Sequence, residues 1–306
     1  MPEDVKCALC GHDETELLFI GRDRLHNVPG EFNVVRCRNC SMVYLNPQPA
    51  WTEMEKYYPA DYAPYAQGTE SPLQRLIQSG GLRRKQRLVQ NHKTSGSLLD
   101  IGCGSGDFLR FMAQSGGWAV FGIEQNAQAA HSAAQISGAQ VFCGRLADAD
   151  YAPQSFDIIT MWHVMEHLDD PRSALNTVRR WLKPDGRLVL AVPVLDSVDA
   201  KLFGPYWSGF DVPRHLFTYS VATLSRMLTI AGFASMSTES FIGGCSAFRI
   251  SLGFWAEERL KSRFLLRFVR TSSHSLFFRL LMLPYFAVIN KLGRGSTLVV
   301  TARPAA

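Results

Sequence analysis

Short apolar runs alternate with helix-period patterns through the middle of the chain. The runs Trp118–Ile123, Ile158–Met161 and Arg187–Val192 have the length of strands. After Ser220, a residue type that caps helices, apolar residues fall at i, i+3, i+4 and i+7. Strands that alternate with helices in this way predict a doubly wound α/β fold built on a mostly parallel sheet.

Further patterns lie on either side of these runs. Glu16–Ile20 and Glu31–Arg36 predict two strands near the N-terminus, and Ser71–Lys93 predicts a basic amphipathic helix that leads into the sheet. Lys183–Gly186, which contains Pro and Gly, predicts a turn between a helix and the next strand. A connector rich in proline and tyrosine, including Tyr62, joins the N-terminal strands to the leading helix.

The composition is that of a globular protein. The 306 residues are 46% hydrophobic and 19% charged, enough to bury a sizeable core. The first residues are acidic and lack the apolar stretch of a secretory signal, which predicts a cytoplasmic location. In such a reducing compartment, seven cysteines favour metal binding over disulfides.

Four of the cysteines form two Cys-x-x-Cys pairs separated by 26 residues. Cys7, Cys10, Cys37 and Cys40 together predict a tetrahedral zinc site, and the two strands between the pairs make residues 1–48 a zinc ribbon. Four thiolates leave no open coordination position for water, so the predicted role of this zinc is structural.

The strand that ends at Asp100 runs into a glycine-rich turn and then a helix. Gly102, Gly104 and Gly106 alternate there, and side chains at these positions would keep a ligand away from the helix N-terminus. The spacing differs from the dinucleotide fingerprint, because Asp107 stands where the third dinucleotide glycine would be. The stretch predicts a cofactor loop in the first βα unit.

This loop resembles that of class I S-adenosylmethionine-dependent methyltransferases, and the resemblance extends along most of the chain. It implies a Rossmann-like sheet of seven strands, one of them antiparallel, over residues 96–303. Asp100 would then face the methionine half of the cofactor, and Glu124, about twenty residues on, the ribose. The implied cofactor-binding residues are Asp100, Gly102, Cys103, Gly104, Gly106, Glu124, Gln125, Gly144, Leu146 and Met161.

Arg145 and Leu146 depart from the family pattern, in which many members carry an acid after the glycine of the adenine-side loop. Only backbone contacts to the adenine are therefore expected at this loop.

Three histidines are candidates for a catalytic base. His163 and His167 lie in an H-x-x-E-H stretch, which is also the inverted zinc-protease motif. That motif needs a long helix, whereas here it follows a strand and Pro171 begins a helix four residues later. His215 belongs to a Pro-x-His segment similar to the acceptor loop of methyltransferases of ubiquinone and polysaccharide biosynthesis, and it is the first choice for the base.

The segment 245–295 is an insertion before the last strand, and it carries most of the positive charge. It contains nine Lys or Arg and two Glu, so its charge of +7 leaves −2 for the rest of a chain of net charge +5. Two interpretations stay open, a lid packed on the domain with solvated arginines and an element lying on an anionic membrane surface. The second would place the protein at the inner face of the membrane.

The chain is thus divided into a ribbon at 1–48, a connector with the leading helix at 49–95, and a methyltransferase domain at 96–303. We expect O- or C-methylation of a small molecule, and a sugar or a lipid-linked acceptor fits a resemblance to deoxysugar C-methyltransferases with a four-cysteine N-terminal domain. The alternative is an RNA methyltransferase with a zinc ribbon, but the charge outside the insertion disfavours a nucleic acid partner. A non-catalytic adaptor would not need an intact cofactor loop.

Overall fold

The computed structural model describes residues 3–58, 72–240 and 244–305. Most of the tyrosine-rich connector, including Tyr62, lies outside these residues, as does Ser71, the predicted start of the leading helix. The N-terminal elements are β1 (Thr15–Gly21), β2 (Phe32–Cys37), β3 (Val43–Leu45), α1 (Trp51–Met54) and α2 (Pro72–Gln90). The following elements are β4 (Gly96–Ile101), α3 (Asp107–Gln114), β5 (Trp118–Glu124), α4 (Ala127–Ala134), β6 (Ala139–Cys143), β7 (Phe156–Trp162), α5 (Pro171–Trp181) and β8 (Leu182–Pro193). The last elements are α6 (Val198–Phe203), β9 (Phe217–Thr218), α7 (Val221–Ile230), β10 (Phe233–Ser240), α8 (Gly244–Arg259), α9 (Arg263–Ser273), α10 (Leu276–Lys291) and β11 (Thr297–Pro304).

The main sheet has seven strands in the order β10-β11-β8-β7-β4-β5-β6. Strands β4, β5, β6, β7 and β8 are parallel, and β11 runs antiparallel to both of its neighbours. This confirms the predicted doubly wound sheet with one antiparallel strand. Because parallel strands end at the same edge, Ile101, Glu124 and Trp162 bring three loops together above the sheet.

The N-terminal strands form a second, smaller sheet in the order β1-β2-β3-β9. Its last strand, β9, comes from the segment that follows the predicted acceptor loop. Tyr44 pairs with Phe217, and the amide of Leu45 donates to the carbonyl of Leu216 at 3.0 Å. The ribbon is therefore joined to the loop that carries His215 by backbone hydrogen bonds, which the local sequence pattern does not predict.

Capping residues mark the helix boundaries, among them Ser220, which the sequence predicts. Ser220 begins α7 with a capping box, in which its hydroxyl accepts from the amide of Thr223 at 3.1 Å. Asp170 caps α5, whose first residue is Pro171. Gly232, with φ of +79°, ends α7 in the left-handed region that favours glycine.

One predicted turn is different in the structure. Lys183–Gly186 belongs to β8, which already begins at Leu182. Phe156 pairs with Leu182 but Ile158 pairs with Arg187, so the extra residues of β8 are held in an irregularity of the pairing. The physical reason is that the neighbouring strand β7 continues through this point, so the chain stays in the sheet rather than leaving it.

Three described helices form the insertion. The inner side of α10 packs on α6 and α8 in a cluster that includes Phe203, Phe248, Phe286 and Ile289. Helix α10 continues through Pro284 without ending. No single helix in the described ranges is long and apolar enough to cross a membrane, although α9 and α10, which meet at a bend of 73°, pass that test as a pair.

Candidate active site

A cavity of about 800 Å³ opens at the carboxyl edge of the parallel strands. This volume is typical of a site for a cofactor or small ligand. The cavity is lined by the glycine loop after β4, the ends of β5 and β7, the turn after β6, and one face of α2. Of the predicted site residues, the lining contains Asp100, Gly102, Cys103, Gly104, Glu124, Gln125, Gly144, Leu146, His163, His167 and His215.

Two predicted cofactor residues are not on this lining. Met161 is fully buried in the core beneath the sheet edge. At Gly106 a Cβ would lie 2.4 Å from Cδ1 of Ile136 and 3.0 Å from Ala133, so a side chain there would collide with the end of α4. Close helix packing, rather than approach of a ligand, explains this glycine.

At Gly102 the structure leaves no room for a side chain on the cavity side. Its φ is +69°, and a Cβ would lie 2.5 Å from a methyl group of Val164. The sharp turn and the close approach of the loop after β7 therefore both require glycine.

Asp100 lies at the floor of the cavity and is only 2% exposed. Thr160 donates its hydroxyl hydrogen to Oδ1 of Asp100 at 2.5 Å. Burial raises the pKa of Asp100 to about 6, although the Thr160 hydrogen bond and the positive charge of Lys85 act in the opposite direction. A buried carboxylate whose pKa is raised by burial lacks solvation of its negative charge. It is therefore suited to bind a cationic ligand group.

Glu124 holds the glycine loop in place. Its Oε2 accepts from the amide of Gly104 at 2.9 Å and its Oε1 from the amide of Asn126 at 2.8 Å. Burial raises the pKa of Glu124, and the amide hydrogen bonds oppose that shift. Because a carboxylate has about four acceptor positions, it can also accept from ligand hydroxyls.

Lys85 is a cavity residue that sequence reasoning missed. It is half-buried on α2, and its ammonium lies 4.8 Å from the ring of Trp162 and 5.8 Å from that of Phe108. Burial lowers the pKa of Lys85, while the charges of Asp100 and Asp107 raise it. The basic character of this helix was visible in the sequence, but which of its cations faces the cavity depends on the packing of α2.

The H-x-x-E-H stretch forms a strand end and a single 3₁₀ turn at Met165–His167, not the long helix of a protease. Nδ1 of His163 lies 3.1 Å from Oε1 of Glu166, so its N–H donates to the carboxylate. His163 has φ of +59°, and its side chain is 47% exposed, whereas that of Glu166 is fully buried. This is a histidine on the cavity wall with a buried carboxylate behind it.

Glu166, the second residue that was not predicted, lies between all three histidines. Burial alone would raise its pKa, but the hydrogen bond from His163 and the charges of His163, His215 and His167 lower it. An oxygen of Glu166 and one ring nitrogen each of His167 and His215 lie within 4.8 Å of one another. Within the described residues, Oε2 of Glu166 has no hydrogen-bond partner. The signal for this residue was its place in the H-x-x-E-H spacing.

Backbone carbonyls orient the other two histidines. Nδ1 of His215 donates to the carbonyl of Gly209 at 2.8 Å, and Nδ1 of His167 to that of Arg214 at 3.0 Å. Their rings pack edge to face at a centroid distance of 4.6 Å. Burial, followed by the charge of His215, lowers the pKa of His167 to about 4, so His167 is neutral at physiological pH. His215 is 9% exposed.

The remaining predicted site lies in the ribbon, where the four cysteines converge. All four Sγ atoms lie within 4.8 Å of one another, with Cys7 and Cys40 3.4 Å apart and Cys10 and Cys37 3.6 Å apart. None of the four is in a disulfide. These separations fit sulfurs at about 2.3 Å from one tetrahedral zinc ion.

The family model for the methyltransferase domain matches residues 73–238, more than half of the chain. The chain belongs to this methyltransferase family. The matched residues include the glycine loop, Glu124 and the H-x-x-E-H stretch. S-adenosylmethionine is therefore the cofactor that the residues of the cavity must fit, and a buried acid, a glycine loop and a second carboxylate on one cavity wall are consistent with it.

Individual relatives of this methyltransferase match shorter stretches. The ubiquinone biosynthesis O-methyltransferase of Neisseria meningitidis serogroup A is 33% identical over 96 residues, 29% of this chain and 40% of the relative. The enzyme of the same name from Idiomarina loihiensis is 34% identical over 110 residues, 33% of this chain and 44% of the relative. The chain thus matches about two fifths of the length of these curated relatives.

The fold has the same architecture as a solved S-adenosylmethionine-dependent methyltransferase from Thermotoga maritima, described as a possible histamine N-methyltransferase. The superposed region covers 83% of this chain and 95% of the Thermotoga maritima chain, with a TM-score of 0.50 and 16% sequence identity. At this identity the likeness establishes the methyltransferase fold alone.

Proposed function

We propose that this chain is an S-adenosylmethionine-dependent methyltransferase that acts on a hydroxyl group of a small molecule. The observation that carries the proposal is that the glycine loop, Asp100 and three histidines line the same cavity, which has a volume of about 800 Å³. The resemblance to ubiquinone O-methyltransferases over a third of the chain supports oxygen as the acceptor atom. A lipid-linked sugar is the second acceptor class to test.

The cofactor supplies an electrophilic methyl group. Asp100 would bind its ammonium group, Lys85 its carboxylate, and Glu124 the ribose hydroxyls. Each pairing joins a ligand group to a buried or half-buried side chain of opposite charge or complementary hydrogen-bonding capacity. The chain's own chemical task is then to hold the acceptor in line, exclude water and remove one proton.

We propose His163 as the group that takes this proton at Nε2. Its Nδ1–H is held by the buried Glu166 carboxylate, which fixes the tautomer and stabilises the protonated ring. Its side chain is the most exposed of the three histidines, so an acceptor can reach it. His215, the residue preferred from sequence, is nine-tenths buried and is the alternative.

Binding and turnover of the purified chain test the function. The experiment measures S-adenosylmethionine binding by calorimetry and then mass shifts of +14 in three acceptor pools, namely phenols and catechols, lipid-linked sugars, and RNA. Methylation of a phenol or catechol supports the proposal. Methylation of RNA alone would favour the alternative of an RNA methyltransferase with a zinc ribbon. The absence of S-adenosylmethionine binding would favour a non-catalytic adaptor.

The buried acid gives a pH prediction. Asp100 has a pKa of about 6, so cofactor affinity should fall as the pH falls through about 6 and the carboxylate loses its charge. Asp100→Asn should bind about 10- to 150-fold more weakly at pH 8, the loss of one charged hydrogen bond, and its affinity should depend less on pH than that of the unchanged protein. Calorimetry at several pH values measures both effects.

Asp150→Asn is the control for this series, because Asp150 is exposed and lies outside the cavity lining. It should behave as the unchanged protein. The free protein should show the opposite trend in stability: a raised folded-state pKa makes the contribution of Asp100 largest below about pH 4 and removes it as the pH rises through 6. A pH-independent affinity in the unchanged protein would contradict the assignment of Asp100.

We further propose that the four ribbon cysteines hold one structural zinc ion. Metal analysis should find one zinc per chain, and Cys37→Ser should lose it and unfold at a lower temperature. Because β3 of the ribbon pairs with β9, the loss should also reduce turnover. Cys143→Ser, at an exposed cysteine outside the cluster, should keep full zinc, and full occupancy in Cys37→Ser would refute the site.

A further inference from the structure

Helix α10 is apolar on two opposite sides, and only one of them is covered. Its inner side packs on Phe248 of α8, with Tyr285 and Phe286 at ring-centroid distances of 5.5 and 6.0 Å. The hydroxyl of Tyr285 also donates to Oδ1 of Asp199 at 2.6 Å. These contacts fix the orientation of α10 on the domain.

The outer side of α10 carries leucines and a phenylalanine where a solvated helix would carry polar residues. The exposed fractions of its large apolar side chains lie between 56 and 74%, at Leu276, Phe277, Leu280, Leu281, Leu283 and Val288. No charged residue occurs between Leu280 and Asn290. A helix that is apolar all round belongs in a protein core or in lipid, and here the outer side lies outside the core.

Helix α9 extends this exposed surface and adds positive charge. Phe264 and Phe268, one turn apart, are 76 and 62% exposed. Arg263, Arg267 and Arg270 follow the adjoining side of the same helix, so aromatic and cationic side chains lie next to each other. Ser273 is the only residue of α9 that is fully buried. We call the outer sides of α9 and α10 together the apolar-basic surface.

The two acidic residues that precede this surface in the sequence are already in ion pairs, and the two helices themselves contain no acidic residue. Glu257 forms an ion pair with Arg270, and Glu258 pairs with Arg22 and Arg24 of the ribbon. No acidic residue stands between Glu258 and Arg294 in the sequence. Among the described residues, no ion pair involves the cationic side chains Arg263, Arg267, Arg279, Lys291 and Arg294.

We propose that the apolar-basic surface docks this methyltransferase onto a lipid bilayer with anionic headgroups. The outer side of α10 and the phenylalanines of α9 enter the boundary between headgroups and acyl chains, and the arginines lie among the anionic headgroups. The bend of 73° between the helices and the arginines along α9 favour binding at the surface over crossing the bilayer. This inference goes beyond methyl transfer and does not depend on the acceptor.

Flotation of the full-length protein with vesicles tests the proposal. The protein should float with phosphatidylcholine vesicles that contain about a third phosphatidylglycerol, and binding should weaken with added salt. Leu281→Asp should reduce the bound fraction roughly tenfold, since it places a charge in the apolar region. The double variant Arg263→Gln/Arg267→Gln should lose the preference for anionic vesicles.

Matched control variants carry the same kinds of substitution outside the apolar-basic surface. They show whether an effect on vesicle binding comes from that surface or from the change in charge alone. Leu17→Asp changes a leucine of β1 that is 55% exposed, and Arg180→Gln/Arg226→Gln removes two exposed arginines of α5 and α7. Both should bind vesicles as the unchanged protein does. All variants should keep their cofactor affinity, so a failure of docking is distinguishable from a failure of the proposed methyltransferase.

Three outcomes would overturn the proposal. The first is the absence of flotation, or equal binding of Leu281→Asp and the unchanged protein. The second is a dimer in gel filtration that Leu281→Asp converts to a monomer with no change in vesicle binding, which would identify a second copy as the cover. The third is retention in the vesicles after alkaline carbonate extraction, which would indicate a bent membrane-inserted pair.

Discussion

Replacing His163 with alanine should lower methyl transfer by roughly 10²–10⁴-fold, the range expected for the loss of a general base. Cofactor affinity should stay nearly unchanged, because the proposed role lies with the acceptor. The physical reason is the arrangement of an exposed imidazole with a buried carboxylate at 3.1 Å behind it. Single-turnover rates with an acceptor that the unchanged protein methylates, together with calorimetry of the cofactor, measure the two quantities.

Two further variants distinguish the loss of the imidazole base from a change in the local backbone conformation. His163 has a positive φ, which Asn tolerates, so His163→Asn keeps the local conformation but removes the base and should be as inactive as the alanine variant. Glu166→Gln should lower turnover without changing cofactor affinity, because the carboxylate no longer accepts from Nδ1 and no longer holds the ring in one tautomer. A role of Glu166 in folding alone would lower thermal stability and leave the turnover of the folded fraction unchanged.

The alternative bases give different outcomes. If His215→Ala is inactive with cofactor bound and His163→Ala is normal, the sequence-based choice of His215 is the correct one. His167→Ala should chiefly reduce stability, since its ring is neutral and hydrogen-bonded to the carbonyl of Arg214. Normal turnover in all three variants would show that the acceptor needs no histidine base.

The second large effect concerns Arg214, whose replacement by alanine should lower the free energy of unfolding by about 3–5 kcal/mol. Its guanidinium is fully buried and donates to Asp211 at 2.6 and 2.9 Å, to Asp23 at 2.8 Å and to the carbonyl of Tyr57 at 3.0 Å. Without it, the fully buried Asp23 carboxylate would lose its cationic partner. Urea unfolding measures the change.

Arg214 also links the ribbon to the cavity, because it precedes His215 and binds Asp23 just after β1. Arg214→Ala should therefore disturb the acceptor side of the cavity and reduce turnover beyond its effect on the folded fraction. Arg180→Ala, an exposed arginine of α5, is the matched control and should change stability by less than about 0.5 kcal/mol. Equal stabilities of the two variants would show that the buried ion pairs contribute little here.

Acid should weaken the same cluster in the unchanged protein. Burial would raise the pKa of Asp23 and of Asp211, but hydrogen bonds from Arg214 lower both below their usual range. A depressed carboxylate pKa contributes stability above the pKa of the unfolded chain, about 3.9, and this contribution is lost as the pH falls through the lower folded-state value. Arg214→Ala should remove this part of the acid dependence.

The sequence by itself determined the features that depend on local chemistry. Alternating patterns specified the order of strands and helices, because burial of one face imposes a period of two or 3.6 on any chain. The alternating glycines after Asp100 predicted a tight loop, since glycine adopts without strain the positive φ values found at Gly102, Gly104 and Gly106, and the resemblance of this loop to that of methyltransferases implied the cofactor. The spacing of four cysteines likewise predicted their convergence, which the structure confirms.

Only the tertiary structure decided which residues meet across the chain. Asp23 and Arg214 are 191 positions apart, and Lys85 meets Trp162 because α2 packs over the cavity. Such contacts depend on how elements pack in three dimensions, and no local pattern encodes that. The same holds for the insertion: its composition left a lid and a membrane surface open, and the packing of α10 showed which of its apolar sides is left uncovered.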